Sequence, residues 1–89
     1  MLSQIVTVKN STGIHARPAA QLAKALKGHD CRVTLRYEGK DVNASSMMNI
    51  MRAGIKAGGS VEVVCEGGDE AGVLHQVVTM FDQRFGESE

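Results

Sequence analysis

The sequence has no tryptophan, a single proline (Pro18) and an aromatic share of only 3%. A surface that stacks successive bases needs more rings than that, so single-strand nucleic-acid binding has no support. Two cysteines, Cys31 and Cys65, allow at most one bridge, far from the density of a disulfide-stapled secreted scaffold, and a reducing cytoplasm is the expected compartment. The longest uninterrupted apolar run is Val63-Val64-Cys65. A membrane span needs about 20 such residues and a signal-peptide core at least about 7, so neither insertion nor export is expected. Close His/Cys pairs of the kind that bind zinc are missing. The glycine-rich stretch 54–59 lacks the Gly-Lys-Ser/Thr ending of a nucleotide-binding loop, so no metal and no cofactor is expected.

What remains is an 89-residue chain, 43% hydrophobic and 22% charged, which fits one globular domain over residues 1–89. Its net charge is zero but unevenly spread. Residues 1–60 carry nine of the ten basic residues against Asp30, Glu38 and Asp41; the remainder carries Arg84 and the other acids. That polarity suits a basic surface facing an anion or an acidic partner, and equally suits a fold that mixes two ordinary solvated halves.

Periodicity divides the chain into seven elements. Gln4 to Lys9 reads as a strand with Val6 and Val8 on one face. Asn10-Ser11-Thr12-Gly13 is a cluster of turn formers, after which Ala19, Leu22, Ala23 and Leu26 recur at helical spacing. Pro18 belongs in a first helical turn, where its missing N–H costs nothing, and Gly28 is the expected C-cap. Cys31 to Tyr37 alternates with Arg32, Thr34 and Arg36 outward, and Glu38-Gly39-Lys40 turns into a short strand over 41–43. Ser46 is positioned to N-cap a helix rich in methionine. Val61, Val63 and Cys65 share a face of the last strand, and Ala71, Leu74, Val77, Val78, Phe81 and Phe85 form a helical stripe running on toward the end of the chain. The order β-α-β-β-α-β-α, with strands polar on one side, predicts an α+β open-faced sandwich: four antiparallel strands with three helices on one face.

His15 carries the chemistry. A turn delivers it to the start of a helix, where unpaired amides and the positive end of the dipole hold anions. The expected donors are the amides of Ala16, Arg17 and Ala19, because Pro18 has none. The same positive end favours the neutral, nucleophilic ring over an imidazolium. A phosphoryl group taken up there would bring about −1.5 to −2 charge, which Arg17 and the helix amides could accommodate. As isolated features, a histidine and an arginine at a helix start are equally ordinary surface residues. His29 and His75 have no such surroundings and read as a loop residue and a solvent-facing helix residue.

The run Gly13-Ile14-His15-Ala16-Arg17-Pro18-Ala19-Ala20 closely resembles the active-site signature of the HPr phosphocarriers of the bacterial phosphoenolpyruvate:sugar phosphotransferase system. The resemblance continues through Gly39-Lys40 at the hairpin, Ser46 before the methionine-rich helix, Gly54 after it and Gly58 before the last strand. It implies that His15 receives a phosphoryl group on Nδ1 from phosphorylated enzyme I and passes it to enzyme IIA components, with Arg17 assisting, in a monomeric carrier that is not itself an enzyme. It further implies a regulatory phosphorylation at Ser46 by an HPr kinase/phosphorylase, which creates a docking form for a catabolite-control repressor; Ser45 stands before it where many relatives have Lys. The flexible thioethers of Met47, Met48 and Met51 suit a surface that fits several partners in turn. Lys24, Lys27, Arg52 and Lys56 would ring that surface and steer acidic proteins to it. A nitrogen-related paralogue in a regulatory relay, and a small interaction module that never carries phosphate, are the alternatives.

Overall fold

In the computed structural model, residues 1–87 are described. The elements are β1 (Leu2–Thr7), α1 (Ala16–Ala25), β2 (Arg32–Tyr37), β3 (Lys40–Asn43), α2 (Met47–Ala53), β4 (Ser60–Glu66) and α3 (Glu70–Asp82), followed by a 3₁₀ turn at Arg84–Gly86. All strand pairings are antiparallel and the sheet order is β1-β4-β2-β3, so consecutive strands β1 and β2 are separated by the last strand of the chain. This is the α+β architecture expected from the periodicity.

Alternation puts Val6, Val33, Leu35, Val42, Val61, Val63 and Cys65 on one face of the sheet, and all are buried. The helices supply Ala19, Leu22 and Leu26 from α1, Ile50 from α2, and Val73, Val77 and Phe81 from α3 to the same core. Fully burying side chains such as Leu22 or Phe81 contributes about 1.5–3 kcal/mol each. Cys31 and Cys65 lie in this core as free thiols. Burial and the adjacent Cys31 sulfur push the Cys65 thiol up to about 12, which keeps it protonated and inert.

The opposite face is open to water and mostly polar, with Arg32 and Arg36 exposed and Arg36 paired to Asp41 and Glu62. Val64 departs from this pattern. It points outward yet is buried, because the register sets it between Ser3 of β1 and Thr34 of β2 on the central strand. The β2–β3 hairpin closes through Glu38 and Gly39 with φ of 52° and 79°, the two left-handed residues of a turn whose twist matches its strands.

Three boundaries differ from expectation. β1 begins at Leu2 and ends at Thr7, with Val8 continuing the inward alternation through bonds to Gly58 and Gly59. α1 is capped at Leu26, and Gly28 serves the turn beyond it at φ 87°. Most consequentially, α3 stops at Asp82 instead of continuing through Phe85. Arg84 and Phe85 adopt φ of 54° and 53°, folding the chain back so that Phe85 is buried against Phe81. On α3 itself the buried position near the start is Val73, and Ala71 faces solvent.

Candidate functional site

The loop between β1 and α1 is fixed before any functional group is considered. Gly13 N–H donates to the Asn10 carbonyl, Ile14 N–H donates to the Ile55 carbonyl, and the Asn10 side-chain amide donates to the Gly13 carbonyl. Gly13 sits at φ 70° with its α-carbon so close to the 55–57 backbone that a Cβ would lie 2.7 Å from the Ile55 oxygen. Only glycine fits there. The next two residues are thereby aimed: Ile14 into the core, His15 out of it as the N-cap of α1, with extended backbone (φ −90°, ψ −162°) and a side chain 42% exposed.

As N-cap, His15 presents its carbonyl inward to the helix, accepting from Ala19 N–H at 3.0 Å. This corrects one expected donor. Pro18 occupies the third helical position, so Ala19 is the first residue whose amide closes a helical ring, and that N–H is not open to an anion. Ala16 and Arg17 keep theirs, with no hydrogen bond to either amide among the described residues. Arg17 is exposed and its guanidinium has no ion-pair partner among the described residues, which leaves it free to meet an incoming charge beside His15.

Glu87 completes the arrangement and was not foreseen from the sequence. Its Oε2 lies 2.8 Å from His15 Nε2, while Oε1 accepts from Asn10 Nδ2 at 3.1 Å and Thr12 Oγ1 at 3.3 Å. Desolvation pushes this carboxyl up, but the hydrogen bonds from His15, Asn10 and Thr12 together hold it below the ordinary range, so it is an anion and an acceptor only. The imidazole is therefore held between a positive helix end and a carboxylate, and its Nε2 must donate. Asn10 and Thr12 lie in a cluster of turn formers, and only the fold-back after α3 brings position 87 to position 15; no local pattern carries a signal for it.

The remaining candidate residues form two groups. Ser46 caps α2, its Oγ accepting from Asn49 N–H at 3.2 Å. Met47, Met48 and Met51 are exposed while Ile50 alone of that helix is fully buried, so the methionines form an uncovered apolar surface. Lys24 and Lys27 share a shallow groove with Ala23, Ser45 and Met47. Arg52 lines a separate depression against β3, with Lys40, Asp41 and Asn49, so it flanks α2 on another side from the two lysines. Lys56 is exposed in the loop that braces Gly13. His29 and His75 are both exposed, away from these groups. No helix among the described residues is long and apolar enough to cross a membrane.

Comparison with known proteins identifies the family. The family model described as the PTS HPr component phosphorylation site matches residues 2–83. The phosphocarrier protein HPr of Chlamydia trachomatis is 41% identical over 86 residues, covering 97% of this chain and 79% of that one. The HPr of Treponema pallidum is 36% identical over 87 residues, covering 98% of this chain and 99% of that one. Among solved structures, HPr-C-His from Thermoanaerobacter tengcongensis superposes with a TM-score of 0.94 at 34% identity, covering 100% of both chains. With that family model matching residues 2–83 and these relatives more than 30% identical over nearly the whole chain, the chain belongs to the HPr family of phosphocarrier proteins of the phosphotransferase system.

Proposed function

We propose that His15 is the phosphoryl acceptor of this carrier, taking the group on Nδ1 from phosphorylated enzyme I and passing it to enzyme IIA components. The reading is supported by one observation above others: an exposed imidazole at the N-cap of α1, beside the Ala16 and Arg17 amides and the Arg17 guanidinium, none of which has a partner among the described residues. In the forward step the Nδ1 lone pair attacks phosphorus, the donor's N–P bond breaks, and its electron pair returns to the donor nitrogen. The transferred group gains its negative charge next to a helix terminus and an arginine, which stabilise it without a metal ligand from the protein. The exposed methionines of α2, with Lys24 and Lys27 alongside and Arg52 on the other flank, serve as the docking surface for acidic partners.

Incubation with phosphoenolpyruvate and enzyme I, read by intact mass, tests the proposal. An acid-labile phosphate adduct that disappears in His15→Ala supports it; absence of the adduct on the unaltered chain removes it and leaves a plain interaction module. Transfer onward to a sugar-specific IIA rather than a nitrogen-related one separates the sugar branch from the paralogue.

Ser46 carries the regulatory part of the proposal. Its hydroxyl already faces the amino end of α2, so a phosphate there would meet favourable backbone dipoles while turning the methionine surface negative. Reaction with HPr kinase and ATP should modify the chain and fail on Ser46→Ala; modification of that variant would move the site elsewhere, with Ser45 the adjacent hydroxyl.

A further inference from the structure

We infer that Glu87 is a positioning residue for phosphoryl transfer, clamping His15 in the tautomer that leaves Nδ1 unprotonated; this rests on the reading of His15 as the acceptor. The clamp is built from three bonds that no single local segment could supply. Glu87 reaches the imidazole from the segment that folds back after α3, while Asn10 and Thr12 hold its other oxygen from the loop before α1. Asn10 is fully buried and its amide also ties down the Gly13 carbonyl, so the carboxylate is anchored to the same turn that aims the histidine. Glu87 in turn is placed by Phe85, buried two residues earlier.

The chemical consequence follows from counting protons. A neutral imidazole has one N–H, and a carboxylate can only accept, so a 2.8 Å contact to Nε2 requires the proton to be there. Nδ1 then carries the lone pair, the one nitrogen free to attack phosphorus. During transfer no proton has to move: the N–P bond to the donor breaks, the bond to Nδ1 forms, and the proton stays on Nε2, donated to Glu87 throughout. The ring becomes cationic once Nδ1 carries the phosphoryl group, and the carboxylate lies against that charge on the edge remote from phosphorus. On return, the electron pair of the breaking bond goes back to Nδ1. A carboxylate that orients a histidine by its other nitrogen is the logic by which an aspartate serves hydrolytic triads.

The test is nitrogen NMR of the imidazole in the ¹⁵N-histidine-labelled full chain, followed over a pH series and read at its alkaline plateau. The unaltered protein should show widely separated ring nitrogens, with Nε2 protonated and Nδ1 bare. Glu87→Gln, of equal size but uncharged, and Glu87→Ala should both bring the two His15 resonances toward each other as the tautomers mix, with the amide spectrum of the core unchanged. Phosphoryl uptake from phosphorylated enzyme I should slow by about tenfold, the scale of losing a histidine-orienting partner. Unchanged ring resonances in both variants, with normal uptake by the unaltered chain, overturn the role of Glu87 alone. A chain that takes up no phosphate overturns the acceptor reading instead, while the ring resonances still report whether the clamp exists.

Discussion

Phe81 and Phe85 meet edge to face, their ring centroids 4.9 Å apart and their planes at 69°, although the helix that carries the first ends before the second. The spacing of four would bring them together on a continuous helix as well. Here the contact is made by a chain that reverses through left-handed Arg84 and Phe85, a conformation costing about 1–2 kcal/mol per residue. The edge-to-face pair and the burial of a phenylalanine offset it.

Replacing Phe85 by alanine should therefore do two things. Truncation of a buried phenylalanine costs about 3 kcal/mol or more, measured as a shift in the denaturant midpoint at constant slope. It should also release Glu87 from His15, so the ring resonances should change in the direction described for the Glu87 variants. A full loss of stability without any change at His15 would separate the two.

Gly13→Ala should destabilise by about 2 kcal/mol, because a left-handed φ and an encounter with the Ile55 carbonyl act together. Gly28→Ala, equally left-handed but with open space around it, should cost only the conformational part, about 1 kcal/mol. The difference between the two, read by chemical denaturation, isolates the close approach of the 55–57 backbone.

Arg17→Ala should leave the melting temperature within about 1 °C of the parent, since an exposed side chain without a partner among the described residues contributes little to stability. Phosphoryl transfer should fall at least tenfold, in proportion to the lost charge beside the phosphoryl group. Comparable losses of both would place Arg17 in the structure rather than in the chemistry.

Ser46→Ala removes the cap of a short helix and should cost about 1 kcal/mol, whereas Ser46→Asp, itself a good cap, should come close to the parent. Thermal unfolding of the three proteins side by side gives the comparison directly.

Acid should weaken the fold partly through Glu70. The Gly67 amide, 2.6 Å from its carboxylate, and the chain's amino group hold this carboxyl below its ordinary value of 4.5. A carboxyl lowered in the folded state adds stability that is fully present above the unfolded value and disappears as pH falls through the folded one. Glu70→Gln should flatten the dependence of melting temperature on pH below about 4.5 and leave it unaltered near neutrality; an unchanged acid limb would show that other carboxylates govern it.

The architecture was legible because each element advertised itself by more than one rule. Pro18 and Gly13 bracket the start of α1, alternation in β2 and β4 agrees with their flanking turns, and Ser46 precedes the helix it caps. The end of α3 was not legible, since Phe85 satisfies a helical stripe whether or not the backbone stays helical, and nothing in Gln83 or Arg84 announces a reversal. The solvent-side burial of Val64 depends on strand order, which periodicity does not encode. At the site, His15 and Arg17 stood within one motif, but Glu87 is 72 positions from the histidine it touches, and Ala19 was misread because counting free amides requires knowing which residue is the N-cap.

The register of β1 against β4 puts Leu2 beside Cys65 and Thr7 beside Ser60, so the strand's first residue and the imidazole loop occupy opposite ends of the sheet. Glu87, by contrast, touches the imidazole directly. A purification handle or fluorescent reporter joined ahead of Met1 is thus carried at the far pole of the molecule, whereas one joined beyond Glu87 follows a residue that touches the histidine. Kinetic assays on the two fusions would differ for that reason alone, and the upstream fusion is the one suited to measuring relay rates.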